Sequence, residues 1–81
     1  MKGIYTMSIT VYSKPSCPQC DATKKYLKKM DAEYIEIDVS EDEEARQELL
    51  GMGYKQTPVV KSGDVHFSGF RIDKLREIAT V

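Results

Sequence analysis

Hydrophobic and polar positions along this chain follow two periods, one near two residues and one near 3.6. Residues 8–13, SITVYS, are rich in β-branched side chains and predict a short strand with Ile9 and Val11 on one face. From about 18 to 30 the pattern becomes helical. Cys20, Thr23, Leu27 and Met30 form an inner stripe with Tyr26 beside it, and Lys24, Lys25, Lys28 and Lys29 fall on an outer arc. That arc is expected to be a solvated face, favourable near the negative end of the helix. Residues 34–39, YIEIDV, predict a second strand. Ser40-Glu41-Asp42-Glu43 reads as a capping box, with Ser40 capping the next helix and Glu43 reaching back to it. Ala45, Leu49 and Met52 stripe that helix, and Gly51 or Gly53 ends it in the left-handed conformation.

Thr57-Pro58-Val59-Val60 opens a third strand, Ser62-Gly63-Asp64 is a hairpin turn, and Val65-His66-Phe67 is the fourth strand. Ser68-Gly69-Phe70 leads into a last helix carrying Ile72, Leu75, Ile78 and Ala79. The order is βαβαββα. A strand–helix–strand opening needs a right-handed crossover and a parallel pair, and the closing hairpin adds antiparallel strands. The expected fold is α/β: a four-stranded mixed sheet with three helices covering both faces. Residues 1–6 are expected to be a flexible extension.

Composition narrows the function. A chain of 81 residues is expected to form one domain, without room to enclose a large cofactor. Twelve basic and thirteen acidic residues give a net charge of −1, so no global pull toward nucleic acid exists. No apolar run approaches the roughly 18 residues of a membrane span, and the start lacks a secretory core. A cytoplasmic monomer with no cofactor is the expectation.

Two cysteines remain, Cys17 and Cys20. A secreted disulfide scaffold of this length usually carries four or more. A loop of this size constrains the unfolded chain little, so the pair points to chemistry. Cys17-Pro18-Gln19-Cys20 follows a predicted strand and opens a predicted helix, and Pro18 suits the first helical position. Residues i and i+3 share a helix face, so a small adjustment brings the sulfurs within disulfide reach. Cys17 sits at the helix N-terminus, where unpaired N–H groups and the dipole favour a thiolate. Cys20 lies one turn deeper, on the inner face. Cys17 is thus the expected attacking thiol and Cys20 the resolving one. Pro18 stiffens the turn, and Gln19 adds neither charge nor bulk. The competing reading is a zinc or iron–sulfur ligand pair. Zinc in structural sites wants four ligands, and the chain offers two Cys and one His, His66, which is expected on an exposed strand.

VYSKPSCPQC, TPVV and SGF at these spacings resemble the thioredoxin/glutaredoxin superfamily, and in particular its NrdH-redoxins. CPQCDATK (17–24), GYKQTPVV (53–60) and GDVHFSGFRID (63–73) carry the likeness, which covers residues 7 to about 79. It implies a thioredoxin fold and a dithiol–disulfide oxidoreductase. Electrons would come from thioredoxin reductase and pass to the large subunit of class Ib ribonucleotide reductase. Thr57-Pro58 would be the cis-proline site, with the Thr57 backbone pairing an incoming segment in strand fashion. Phe67, Ser68, Gly69, Phe70 and Arg71 would complete the partner-binding wall. Two positions depart from the family pattern: Phe67 stands for Trp and Ile72 for Pro. Against ordinary glutaredoxins, Phe70 replaces the second glycine of a Gly-Gly pair, where backbone would approach glutathione. Lys14, however, matches a lysine of glutaredoxins, so a glutathione-dependent glutaredoxin is the alternative within the class. An iron–sulfur or zinc module is the alternative outside it.

Overall fold

A computed structural model describes residues 9–79; the expected extension over 1–6 and Ser8 of the first strand lie outside them. The elements run β1 (Ile9–Ser13), α1 (Pro18–Lys29), β2 (Ile35–Asp38), α2 (Glu43–Gly51), β3 (Val59–Ser62), β4 (Val65–Ser68) and α3 (Ile72–Ala79). The sheet order is β2-β1-β3-β4. β1 and β2 are parallel, whereas β3 runs antiparallel to both β1 and β4. This is the expected βαβαββα mixed sheet, a thioredoxin-like fold.

Strand alternation divides the core in two. Ile9, Val11, Val60 and Phe67 pack with Leu27 of α1 and Leu75 of α3 on one face. Tyr12 and Val59 pack with Val39, Ala45 and Leu49 on the other, under α2. Leu27 and Leu75 are fully buried, and truncating either to Ala is worth about 2–5 kcal/mol. Phe67 keeps the aromatic plug expected in place of Trp.

Several local expectations change. The cap of α2 is Asp42, whose side chain accepts from Ala45 N at 3.0 Å, so no Ser40–Glu43 box forms. Ser40 instead turns back, its hydroxyl and amide both donating to Asp38 Oδ1. Glu43 spends its carboxylate on Arg46 and Gln47. Residues 39–41, between Asp38 and Asp42, therefore go into a turn rather than into the helix. Gly53, not Gly51, takes the left-handed position after α2 (φ 92°), with Tyr54 N donating to Leu49 O. α1 ends in the same way on Asp31 (φ 60°), with Ala32 N donating to Leu27 O. Ile72 occupies the first position of α3 and stays 43% exposed, so Leu75 is the buried residue of that helix. Ile35, on the edge strand, is 57% exposed.

Lys24 also leaves the solvated arc. Its ammonium lies 2.7 Å from Glu36 Oε2, and Ser13 Oγ donates to the same oxygen at 2.8 Å. Lys24 first, then the Ser13 hydroxyl, holds the Glu36 carboxyl below its ordinary value; the Lys24 ammonium is raised, chiefly by its hydrogen bond to Glu36. Lys25, Lys28 and Lys29 remain exposed.

Candidate redox site

The site begins where β1 stops. Lys14-Pro15-Ser16 turns the chain, and Ser16 adopts the left-handed region (φ 59°). Cys17 then has extended backbone and caps α1, and Pro18 begins the helix. Cys17 Sγ accepts from Cys20 N at 3.1 Å. The two cysteines are joined as a disulfide, with Cα atoms 5.2 Å apart. A capping group exchanges a hydrogen bond with a donor of the first turn, and here a sulfur does so. The same contact favours negative charge on that sulfur.

The two cysteines differ in access. Cys17 keeps 7% of its surface and Cys20 none. Cys17 is more enclosed than its place at a helix start suggested, because the loop before β3 comes up beside it. The Thr57–Pro58 peptide is cis, as the resemblance implied. Thr57 Oγ1 donates to Cys17 Sγ at 3.6 Å, and Pro58 is buried. The expectation for Thr57 concerned its backbone, so the hydroxyl contact is an addition.

The third wall is the bend between β4 and α3. Ser68 pairs with Val59 at the end of the β3–β4 ladder. Gly69 has φ 86°, a conformation that favours glycine, and its N–H donates to Pro58 O at 2.8 Å. Phe70 N donates to Gln19 Oε1 at 3.3 Å. The Phe70 ring stands edge-on to Tyr26 of α1, with centroids 6.3 Å apart, and packs against the half of the core that holds Leu27, Phe67 and Leu75. Gln19 was expected to add neither charge nor bulk to the turn; the structure adds a hydrogen-bond acceptor for the bend. Its partner is 51 residues away, so no local pattern could have announced the contact. Arg71 is exposed and pairs with Asp73 at 3.5 Å. His66 is exposed, as expected, and shares a 2.6 Å hydrogen bond with Tyr54.

Beside Thr57 a cavity of about 280 Å³ opens between α2 and the loop that follows it. Leu49, Leu50 and Tyr54 line it together with the charged Lys14 and Lys55. Among the described residues no three His, Cys, Asp or Glu side chains converge as metal ligands. Nor, among them, is any helix long and apolar enough to cross a membrane.

A disulfide that closes within one helical turn, with one sulfur on the capping position and the other sealed beneath it, suits reversible exchange with an outside thiol. The protein is a thiol–disulfide oxidoreductase of thioredoxin-like fold. Comparison with known proteins narrows the class. A glutaredoxin family model matches residues 9–67. The glutaredoxin-like protein NrdH of Lactococcus lactis is 38% identical over 71 residues, 88% of this chain and 99% of that protein. NrdH of Escherichia coli is 38% identical over 72 residues, 89% of each chain. The solved structure of Escherichia coli NrdH-redoxin superposes with a TM-score of 0.87, covering 89% of this chain and 95% of that one. A glutaredoxin from Archaeoglobus fulgidus superposes at 0.76 with 26% identity, over 96% of this chain and 91% of that one. The chain therefore belongs to the glutaredoxin family, among its glutaredoxin-like NrdH proteins.

Proposed function

We propose that this protein carries electrons from NADPH, through thioredoxin reductase, to the large subunit of class Ib ribonucleotide reductase. In the reduced protein the Cys17 thiolate attacks the partner disulfide, forming a Cys17–partner bond and releasing one partner thiolate, which takes up a proton. The Cys20 thiol loses its proton and attacks Cys17 Sγ. The second partner thiolate leaves, and the 17–20 disulfide forms. Two electrons have then passed to the partner; of the two protons its thiols take up, one is that lost by Cys20 and the other comes from water, because Cys17 entered as the thiolate. Thioredoxin reductase restores the dithiol by the reverse exchange. Cys17 attacks because it has the remaining exposure and the helix-start donor; Cys20 resolves because it is sealed.

The observation that carries this reading over a glutathione-dependent one is the wall at Phe70. Its ring leans on Tyr26 and its N–H is already held by Gln19, where a glutaredoxin would present bare glycine backbone. The Thr57 edge and the cavity beside it leave room for an extended protein segment instead. Likeness to NrdH proteins over nearly their full length supports the same partner class.

The test is NADPH oxidation coupled either to thioredoxin reductase or to glutathione with its reductase. Reduction of the 17–20 disulfide is expected to be fast with the first and slow with the second. Phe70→Gly is expected to raise glutathione turnover, at a cost of roughly 1–3 kcal/mol in stability for a half-buried ring. Equal turnover of the unmodified protein with both donors would assign it to ordinary glutaredoxins.

A further inference from the structure

Two successive backbone amides of the β4–α3 bend reach to opposite flanks of the redox site. Gly69 N donates to Pro58 O at 2.8 Å, which ties the bend to the cis-proline loop. Phe70 N donates to Gln19 Oε1 at 3.3 Å, which ties the same bend to the turn between the two cysteines. Gln19 is itself rooted in α1, since its carbonyl accepts from Thr23 Oγ1 at 2.8 Å in addition to its place in the helix. A Cβ on Gly69 would stand 3.6 Å from Gln19 Oε1, an ordinary contact; glycine is needed there for its φ of 86°, not for space. The bend is therefore a bridge with one backbone strut and one side-chain strut. The side-chain strut comes from a residue that lies inside the disulfide loop.

We infer that Gln19 is a positioning residue for the exchange reaction, holding the Phe70 wall in register with the Cys17–Cys20 turn so that a protein disulfide meets Cys17 between two fixed flanks. The inference deepens the proposed function and rests on its assignment of this groove to protein partners. Without the amide acceptor, Phe70 N–H returns to water, and the residue is held by the packing of its ring alone, edge-on to Tyr26 and against the core. The wall then samples positions that narrow or misalign the groove. The loss falls on partner binding first, because Cys17 keeps its own donor, Cys20 N, at 3.1 Å. The chemistry of the strut requires an acceptor at the end of a three-carbon stem. Glutamate supplies one and leucine does not.

The experiment compares the oxidised unmodified protein with Gln19→Leu and Gln19→Glu. Exchange of the Phe70 amide with deuterated water, read by NMR, needs no electron donor and so does not depend on which reductase is used. Gln19→Leu is expected to speed that exchange about fivefold, the equilibrium weight of one ordinary hydrogen bond. Gln19→Glu is expected to retain the protection. In the thioredoxin reductase assay, Gln19→Leu is expected to raise KM by a larger factor than it lowers kcat, and Gln19→Glu to recover part of that KM. Unchanged Phe70 exchange in Gln19→Leu would overturn the strut. Faster exchange with KM and kcat both unmoved would overturn its role in positioning. Failure of thioredoxin reductase to reduce the unmodified protein would instead overturn the proposed function, leaving the exchange result to judge the strut alone.

Discussion

Thr57 donates its hydroxyl to the sulfur of Cys17 at 3.6 Å, across 40 residues of chain. The contact joins the start of β3 to the start of α1. It exists because β3 lies next to β1 in the sheet, so both elements deliver their ends to the same rim. It also explains why Cys17, at a helix start, is almost as enclosed as a core residue.

The asymmetry of the cysteines has a direct consequence for trapping. Cys17→Ser is expected to abolish disulfide reduction. Cys20→Ser is expected to keep the attack and accumulate a mixed disulfide. Mass spectrometry after mixing each variant with a disulfide substrate reads the outcome. A stable adduct on Cys17→Ser, through Cys20, would reverse the two roles.

Acidity of the attacking thiol follows from the cap. In the reduced protein, Cys17 has the Cys20 N–H and the helix start to stabilise its thiolate. Its titration is expected below the free-thiol value of about 8.5. Asp21 in the first turn works against this, so the shift is moderate. Thiolate absorbance followed against pH measures it, and a midpoint at or above 8.5 would exclude the cap as the cause.

Glu36, with Lys24 and Ser13, predicts a pH window for stability. The Glu36 carboxyl lies below its ordinary value in the folded protein, so its contribution is present above the unfolded value of about 4.3 and lost as pH falls through the folded one. The Lys24 shift is upward, so its contribution is present below about 10.4 and lost as pH rises through the folded value. Glu36→Gln is therefore expected to destabilise between roughly pH 5 and 10 and to approach the unmodified protein outside that range. Both side chains are partly exposed, so the effect is under about 1 kcal/mol and shrinks with salt. Urea denaturation at pH 3, 7 and 11 tests it.

The capping of α2 sets the observed cap, Asp42, against the expected one, Ser40. Asp42→Ala is expected to cost about 1 kcal/mol, because it removes the acceptor for Ala45 N. Ser40→Ala removes only a hydroxyl that bonds to Asp38 and is expected to cost less. The opposite order in thermal denaturation would restore the Ser40 box.

Much of the fold was readable because its signals are local. The period of Cys20, Thr23 and Leu27, the proline at the first position of α1, and the Gly63 turn between β3 and β4 each depend on residues close together in the chain, within about two helical turns. Alternation alone assigned Ile9 and Val11 to one face, and α1 and α3 cover it. At the start of α2 the sequence pattern pointed to Ser40, and Asp42 caps the helix instead. The choice depended on how far Asp38 carried β2 before the chain had to turn.

By itself the sequence determined the redox pair and its polarity: Cys17 on the cap, Cys20 one turn inward, both on a helix that a proline starts. Those facts follow from 3.6 residues per turn and from the unpaired N–H groups of a helix start. Only the tertiary structure decided what surrounds the pair. Thr57 on Cys17, Gly69 on Pro58, Phe70 on Gln19 and Tyr26, and Ser13 with Lys24 on Glu36 join residues from different elements. Their meeting depends on strand order and register, which burial of both sheet faces selects together. A side chain such as Gln19 carries no local preference for a backbone amide 51 residues away, so its contact emerges only when the sheet has brought that bend to the start of α1.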